Sequence, residues 1–177
     1  MIKDWSLSIR SLCAAMIFLF ILFGFNSCTT RYYLVRHAEK ECNNCETCGL
    51  TIPLGRDRAI ALADSLTGKG IDNIFASQCL RTQRTAEPLA DRINKAPTIY
   101  QTTQLNSLIS TLKGFNDERD ILIVGHSDQI PVIIDSLAHR IISIAEDDFA
   151  NLYIITRKKF PVTSIRLESH TYGASTP

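Results

Sequence analysis

The sequence has almost no net charge, because 19 lysine and arginine residues are balanced by 18 aspartate and glutamate residues, which gives +1 at pH 7. It also lacks a basic stripe, a low-complexity tail and an internal repeat. Proteins that bind nucleic acids usually concentrate lysine and arginine on one face. We therefore expect no nucleic-acid partner for this chain.

Apolar runs long enough to cross a bilayer comfortably, about 20 residues, are also missing. The longest run extends from Leu12 to Phe25, follows a short polar start with two basic residues, and ends in Asn26-Ser27-Cys28. Its length and the order of its parts are typical of a signal peptide. A small residue followed by cysteine at the end of such a run resembles the bacterial lipobox, in which the cysteine becomes acylated.

We therefore predict that residues 1–27 form a signal peptide and that Cys28 is the lipidated first residue of the mature protein. The alternative is an uncleaved anchor helix in which Cys28 is an ordinary thiol. Both interpretations place the domain outside the cytoplasm, and the first predicts a membrane-anchored lipoprotein that faces the bacterial periplasm. The remaining residues, 28–177, have the usual size of a single domain with one core.

Four cysteines lie in the predicted mature domain, at Cys42, Cys45, Cys48 and Cys79. The first three have spacing that suits zinc or an iron–sulfur cluster, but no fourth ligand follows at a matching distance. In an oxidising compartment, an even number of cysteines more often forms disulfides. The sequence favours disulfides over a metal, and four cysteines allow three pairings.

Helical periodicity alternates with short apolar runs along the domain. Strand followed by helix four times predicts a parallel α/β sheet in three layers, and two final strands without a helix between them predict an antiparallel hairpin at the sheet edge. Pro88 and Pro131 are expected in the first turns of their helices, where a missing N–H costs nothing. The predicted helices cover residues 59–66, 86–93, 105–112 and 130–137, and the predicted strands cover 32–35, 74–76, 98–100, 121–124, 152–156 and 163–168.

Chemically active side chains follow three of the predicted parallel strands. Arg36-His37 follows the first strand, Arg81 lies shortly after the second, and Gly125-His126 follows the fourth. Ligands of open parallel sheets bind outside the carboxyl ends of the strands, so we expect two histidines and two arginines at one rim. A neutral imidazole can accept a phosphoryl group, and guanidinium forks match phosphate oxygens. No acidic or histidine cluster with magnesium or zinc spacing accompanies them, so we predict phosphoryl transfer without a metal or other cofactor.

These residues lie in blocks that resemble the histidine phosphatase superfamily, also called the phosphoglycerate mutase-like family. Leu34-Val35-Arg36-His37-Ala38-Glu39-Lys40 is similar to its opening motif, with alanine where glycine is usual. Arg81-Thr82-Gln83-Arg84-Thr85-Ala86 resembles its second phosphate-binding block, and Gly125-His126-Ser127 resembles its second histidine block. The similarity extends from about Arg31 to Gly173.

The resemblance implies that His37 is the nucleophile, that Arg36 and Arg81 bind the phosphate, and that His126 completes the pocket. It implies a phosphohydrolase of phosphomonoesters, phosphohistidine or other small phosphorylated substrates, or of phosphoproteins. A mutase is disfavoured because the long insertions of such enzymes are missing and export is predicted. The alternative function is a lipid-anchored protein that binds a phosphorylated ligand without turnover.

The residue that protonates the leaving group is not identified by the sequence. Members of the resembled family often carry a glutamate after the third strand, where this chain has Leu105 and Asn106. Asp128 and Glu39 are candidates for the role. A leaving group of low pKa, such as that of phosphohistidine, acyl phosphates or pyrophosphates, needs no acid.

The cysteines are expected close to this site. Cys79 lies two residues before Arg81, and the Cys42–Cys48 loop leaves the strand end that carries His37. A disulfide between that loop and Cys79 is one pairing that this placement allows, provided the Cα atoms come within about 7 Å. It would hold the two phosphate-binding loops together, with the other two loop cysteines paired locally or free.

Overall fold

The computed structural model describes residues 28–159 and 162–175, so the predicted signal peptide lies outside the described residues. The strands are β1 (Thr29–Arg36), β2 (Ile71–Ser77), β3 (Thr98–Tyr100), β4 (Arg119–Gly125), β5 (Asn151–Lys158) and β6 (Ser164–Thr171). The helices are α1 (Leu54–Leu66), α2 (Leu80–Ile93), α3 (Leu105–Gly114) and α4 (Gln129–Ala138). All four predicted helices and all six predicted strands are confirmed. Across the described ranges, no helix has the length and apolar character that a bilayer crossing requires.

The strands form one sheet in the order β3-β2-β4-β1-β5-β6. The first four strands in this order are parallel, and β5 and β6 pair antiparallel at one edge. This arrangement confirms the predicted α/β fold with a terminal hairpin. The chain leaves β1, builds β2 and β3, and returns to insert β4 between β2 and β1, so the carboxyl ends of β1, β2 and β4 meet at one rim.

Both faces of the sheet are covered by helices. Tyr32 and Leu34 of β1 pack with α3 and α4, whereas Tyr33 and Val35 pack with α1 and α2. Successive side chains of a strand point to opposite faces, so an unbroken apolar run buries residues on both sides. Full burial of one such side chain contributes roughly 1.5–3 kcal/mol to the stability of the fold. The central strands therefore hold the loops at their ends in fixed positions.

The two proline predictions have different outcomes. Pro131 lies in the first turn of α4, as expected. The prediction for Pro88 is wrong, because α2 begins at Leu80 and Pro88 lies inside the helix. The apolar stripe of α2 begins later than the helix itself, since its first turns carry the buried polar residues Thr82 and Thr85.

The four cysteines of the domain form two disulfides, Cys45–Cys79 and Cys42–Cys48. The Cα atoms are 4.4 Å apart in the first pair and 5.4 Å apart in the second. A backbone hydrogen bond of 2.8 Å from the Leu80 N–H to the Cys45 carbonyl lies beside the first bridge. The preference for disulfides over a metal and the bridge from the loop to Cys79 are both confirmed.

Candidate active site

The register of the sheet places the two histidine segments side by side. Arg36 of β1 pairs with Gly125 of β4, and the His37 N–H donates a hydrogen bond of 2.9 Å to the Gly125 carbonyl. The ring centroids of His37 and His126 are 5.3 Å apart. A Cβ atom at position 125 would lie 3.0 Å from the Tyr100 hydroxyl, so glycine permits this close approach of the backbone.

One cavity of about 570 Å³ at this rim brings together all four predicted site residues, Arg36, His37, Arg81 and His126. Two other grooves, which run along α2, contain none of them. The rest of the cavity lining consists of side chains that hydrogen-bond or carry charge, together with one disulfide: Lys40, Cys45, Gln78, Cys79, Thr102, Ser127, Asp128, Gln129 and Glu146.

His37 is buried and its tautomer follows from its neighbour. Its Nδ1 lies 2.7 Å from the Ala38 carbonyl, and because a carbonyl only accepts, Nδ1 carries the hydrogen. Nε2 is then the nitrogen with a free electron pair. Burial lowers the pKa of His37 to about 3, with the hydrogen bond to Ala38 opposing and the nearby positive groups adding to this effect. The ring is therefore neutral at pH 7, which is the form that accepts a phosphoryl group.

Ala38 lies where the resembled family usually has glycine. It is fully buried, and its N–H donates a hydrogen bond of 2.9 Å to Thr85 Oγ1. It is not among the described residues with positive φ, so its backbone needs no glycine. An alanine therefore fits the backbone conformation beside His37.

His126 is held by a chain of buried hydroxyl groups. Its Nε2 lies 2.8 Å from Ser77 Oγ, which lies 2.8 Å from Thr82 Oγ1, and Thr82 donates to the Cys79 carbonyl at 2.6 Å. Burial, together with the smaller effect of the Arg81 charge, lowers the pKa of His126 to about 4. Nδ1 of His126 makes no hydrogen bond to any residue that the structure describes. Sequence reasoning missed the roles of Ser77 and Thr82, although Ser77 ends β2 and Thr82 follows Arg81 directly.

Arg81 carries two unsatisfied donors of the pocket. Its Nε and Nη1 are buried and have no hydrogen-bond partner within the described part of the chain. Burial and the neighbouring Arg36 lower the pKa of its guanidinium. Buried unpaired donors are costly, and a bound anion would supply their missing acceptors.

Arg36 is buried and partly engaged by residues 139–150, the irregular segment between α4 and β5 that we call the strap. Its Nη1 donates to the carbonyls of Ala145 and Glu146 at 2.8 and 2.7 Å, and its guanidinium lies 4.2 Å from the centre of the Phe149 ring. Its Nη2 donates to Glu146 Oε2 at 3.1 Å. The Nε of Arg36 is buried and has no partner among the described residues. Glu146 was not predicted, because an irregular segment has no periodicity that would reveal its position.

The structure separates the candidates for the proton donor. Glu39 forms a buried ion pair with Arg58, whose Nε donates to both carboxylate oxygens at 2.8 and 2.9 Å, and Glu39 does not line the pocket. Asp128 does line the pocket, whereas Leu105 and Asn106 do not. The Glu39 carboxylate therefore links the loop after β1 to α1 and does not face the pocket.

No group of three or more histidine, cysteine, aspartate or glutamate side chains in the described ranges has a metal-binding arrangement. The expectation of chemistry without a metal or cofactor stays a prediction. What the pocket does contain is two guanidinium groups and two neutral imidazoles.

Fold and site together define a class: a three-layer α/β protein with an anion pocket, built around a neutral histidine, at the carboxyl ends of its parallel strands. Residues 32–108 match the model of the histidine phosphatase superfamily (branch 1). The matched stretch contains three of the four predicted site residues, and His126 lies beyond it.

Solved structures of similar fold cover most of the chain. The putative phosphohistidine phosphatase SixA from Nakamurella multipartitia has a TM-score of 0.59 at 17% identity, over 82% of this chain and 98% of that one. The protein histidine phosphatase SixA complexed with tungstate has a TM-score of 0.61 at 15% identity, over 80% and 96%. A phosphoserine phosphatase mutant from Entamoeba histolytica in complex with phosphoserine has a TM-score of 0.57 at 16% identity, over 82% and 97%. At such identities the likeness shows the fold alone.

Among curated proteins, the PE-PGRS family protein PE_PGRS11 of Mycobacterium tuberculosis is 38% identical over 72 residues. The match covers 37% of this chain and 12% of that much longer protein.

Proposed function

We propose that this protein is a metal-independent phosphohydrolase that acts on a phosphomonoester, phosphohistidine or another small phosphorylated substrate, or on a phosphoprotein, through a phosphohistidine on His37. The observation that carries the proposal is a buried neutral imidazole with a free Nε2, next to an arginine whose buried donors lack partners. The family match and the phosphatases among the structural neighbours support the same reaction class.

The reaction takes place in two displacements. In the first, the Nε2 electron pair of His37 forms a bond to phosphorus while the bond to the leaving group breaks. The imidazole becomes positively charged, and its Nδ1–H remains on the Ala38 carbonyl, which stabilises that charge. In the second, a water attacks phosphorus and the N–P bond breaks. Phosphate leaves and Nε2 recovers its electron pair.

The cationic groups act on the phosphoryl oxygens. Arg81 offers Nε and Nη1, and Arg36 offers Nε. These donors are fixed before the substrate arrives, so little reorganisation is needed as charge moves onto the oxygens. His126 adds a further nitrogen to the pocket, and the hydrogen bond between its Nε2 and Ser77 fixes the orientation of its ring.

An alkoxide leaving group needs a proton, and two carboxylates line the pocket. Glu146 is bound to Arg36, whereas the Asp128 side chain makes no hydrogen bond within the described residues. Asp128 is therefore the carboxyl group that remains available as a donor for phosphomonoesters. Phosphohistidine and acyl phosphates react without it. The alternative function, a binding protein without turnover, is not favoured, because the proposed nucleophile and phosphate-binding groups are present and Ala38 fits without strain.

The test is substitution of His37 by alanine. We expect His37→Ala to abolish hydrolysis of a generic aryl phosphate, because no other nucleophile occupies that position, and His170→Ala, at an exposed site, to retain it. Rapid quenching of the wild type with labelled substrate should yield a protein-bound phosphate that is labile in acid and stable in base. Label on serine, or full activity of His37→Ala, would refute the mechanism. A panel of phosphorylated compounds, assayed with the same pair of variants, then identifies the substrate.

We also propose that the protein is exported and anchored in the membrane, facing the bacterial periplasm, by a lipid on Cys28 after removal of residues 1–27. Two disulfides in the domain agree with an oxidising compartment. Cys28 is the one cysteine of the described residues outside these bridges, so its sulfur is available for modification. Strand β1 begins at the next residue.

A further inference from the structure

A carboxylate from the strap occupies one side of the proposed phosphate pocket. Oε2 of Glu146 accepts a hydrogen bond from Arg36 Nη2 at 3.1 Å, and its Oε1 accepts one from Ser127 Oγ at 2.7 Å. Arg36, Ser127 and Glu146 all line the cavity. An anionic group therefore already binds the arginine that the proposed reaction assigns to phosphate.

The two partners differ in how firmly they are held. The Arg36 side chain is 3% exposed and the Glu146 side chain is 81% exposed, so the carboxylate reaches inwards from solvent. Arg36 does not depend on it for position, because its Nη1 also donates to the carbonyls of Ala145 and Glu146 and its plane lies on Phe149. The carboxylate can leave while the guanidinium stays in place.

We propose that Glu146 competes with the substrate's phosphoryl group for Arg36 Nη2, so that a ligand must displace this carboxylate to use the full guanidinium fork. This inference rests on the proposed function. In this proposal, Glu146 lowers the affinity of the pocket for every anionic ligand that uses Arg36. Ligands with enough oxygens to bind Arg36 and Arg81 together are affected least. A tetrahedral phosphoryl group meets that requirement, whereas a planar carboxylate would only exchange one carboxylate for another at Arg36.

The Glu146 carboxylate is negatively charged near neutral pH. The hydrogen bond from Ser127 and the charge of Arg36 both lower the pKa of Glu146 from its ordinary value, and Lys40 acts in the same direction. The ion pair is exposed on the glutamate side, so solvent limits its strength. Displacing Glu146 therefore weakens phosphate binding only moderately.

The experiment measures competitive inhibition of aryl phosphate hydrolysis by inorganic phosphate, using the full chain. We expect Glu146→Gln and Glu146→Ala to lower the inhibition constant about two- to fivefold, the range that an exposed ion pair supports. Asp147→Asn is the matched control, because it removes an equal charge from the next exposed position of the strap and makes no hydrogen bond to Arg36. Asp147 acts on the Arg36 charge more weakly than Glu146 does, so the control should change the constant less than either substitution at position 146. Two different substitutions at position 146 are used so that a shared change in the constant reflects loss of the carboxylate and not a property of the new side chain.

The outcomes separate this inference from the proposed function. An unchanged or raised inhibition constant in both Glu146 variants would overturn the inference, because a carboxylate that merely supports Arg36 predicts weaker binding on its removal. Equal tightening in Asp147→Asn would also overturn it, since general charge would then explain the effect. A wild type that neither hydrolyses the aryl phosphate nor binds phosphate in calorimetry would refute the proposed function and this inference with it.

Discussion

Arg36 and Arg81 enter the pocket from different elements and with different donors available. Arg36 ends β1, and strap carbonyls and Glu146 occupy both of its terminal nitrogens. Arg81 lies in the first turn of α2, and its Nε and Nη1 have no acceptor among the described residues. We infer that Arg81 binds phosphate with donors that are free from the start, whereas Arg36 offers its Nε at once and its Nη2 only after Glu146 has left.

Substitution of Arg81 by lysine tests this division. Lysine keeps the charge but replaces a planar fork with a point charge, so Arg81→Lys should lower kcat/KM for an aryl phosphate at least about tenfold, or about 1.4 kcal/mol. The control is Arg84→Lys, one turn further along α2, where the arginine is exposed and paired with Glu87. Kinetics of Arg81→Lys close to those of the wild type would mean that Arg81 does not contact the phosphoryl group.

At the scale of elements, the Cys45–Cys79 bridge joins the loop after β1 to the residue that precedes α2. It spans 34 residues of sequence, whereas Cys42–Cys48 closes a loop within itself. Cys45 and Cys79 both line the pocket. The longer bridge therefore orders two walls of the site relative to each other before a ligand binds.

Removal of that bridge should weaken phosphate binding. We expect the double variant Cys45→Ser/Cys79→Ser to raise the inhibition constant of phosphate about threefold or more, because binding must then order the two loops. Stability should also fall, by about 4 kcal/mol in the chain-entropy treatment of a loop this long.

The matched control for this experiment is Cys42→Ser/Cys48→Ser, which opens the short loop and leaves the bridge to α2 intact. It should affect phosphate inhibition less than the first pair does. Equal effects of the two pairs on inhibition would show that the position of the bridge beside Arg81 is unimportant.

The same elements explain how much the sequence could predict. Apolar periodicity identified the strands and helices because both sheet faces are buried, and Arg36, His37, Arg81 and His126 were found because each follows a parallel strand or begins the next helix. The start of α2 and Pro88 were misjudged, since the first turns of that helix bury threonines rather than apolar residues. Glu146 could not be found, because an irregular strap places it through tertiary contacts alone.

For the whole molecule, the two buried histidines couple stability to pH. Burial lowers the pKa of His37 to about 3 and that of His126 to about 4, whereas both titrate near 6.5 in the unfolded chain. As pH falls below about 6.5, the unfolded state binds protons that the folded state does not, so the free energy of unfolding should decrease towards pH 4. Each group contributes up to about 1.4 kcal/mol per pH unit inside this window.

Thermal unfolding at several pH values checks this prediction. His37→Asn should show a smaller loss of unfolding temperature between pH 7 and pH 4.5 than the wild type, because one of the two linked groups is gone. His170→Asn, at an exposed position, should follow the wild type. Identical pH dependence in His37→Asn would mean that this imidazole is not held neutral in the folded state.

The proposed anchor and the proposed site lie at opposite ends of β1. Cys28 precedes the first residue of the strand, and Arg36 is its last residue. Eight residues of extended chain, at about 3.3 Å each, place the two ends roughly 25 Å apart. A lipid on Cys28 would therefore hold the domain with its pocket facing away from the bilayer, which suits a soluble phosphorylated substrate or a phosphoprotein better than a lipid headgroup.

Substitution of Cys28 tests both the anchor and this orientation. Cys28→Ser should abolish metabolic labelling with palmitate and move the protein from the membrane to the soluble fraction. Its kcat/KM for an aryl phosphate should stay close to that of the wild type, because neither Cys28 nor Asn116, whose carbonyl accepts a hydrogen bond from the Cys28 sulfur, lines the pocket. Cys13→Ser, within the predicted signal peptide, is the control and should keep both the label and the membrane location. Label retained on Cys28→Ser would refute the lipidation site, and a large loss of activity would show that the amino-terminal end of β1 influences the pocket at the other end of the strand.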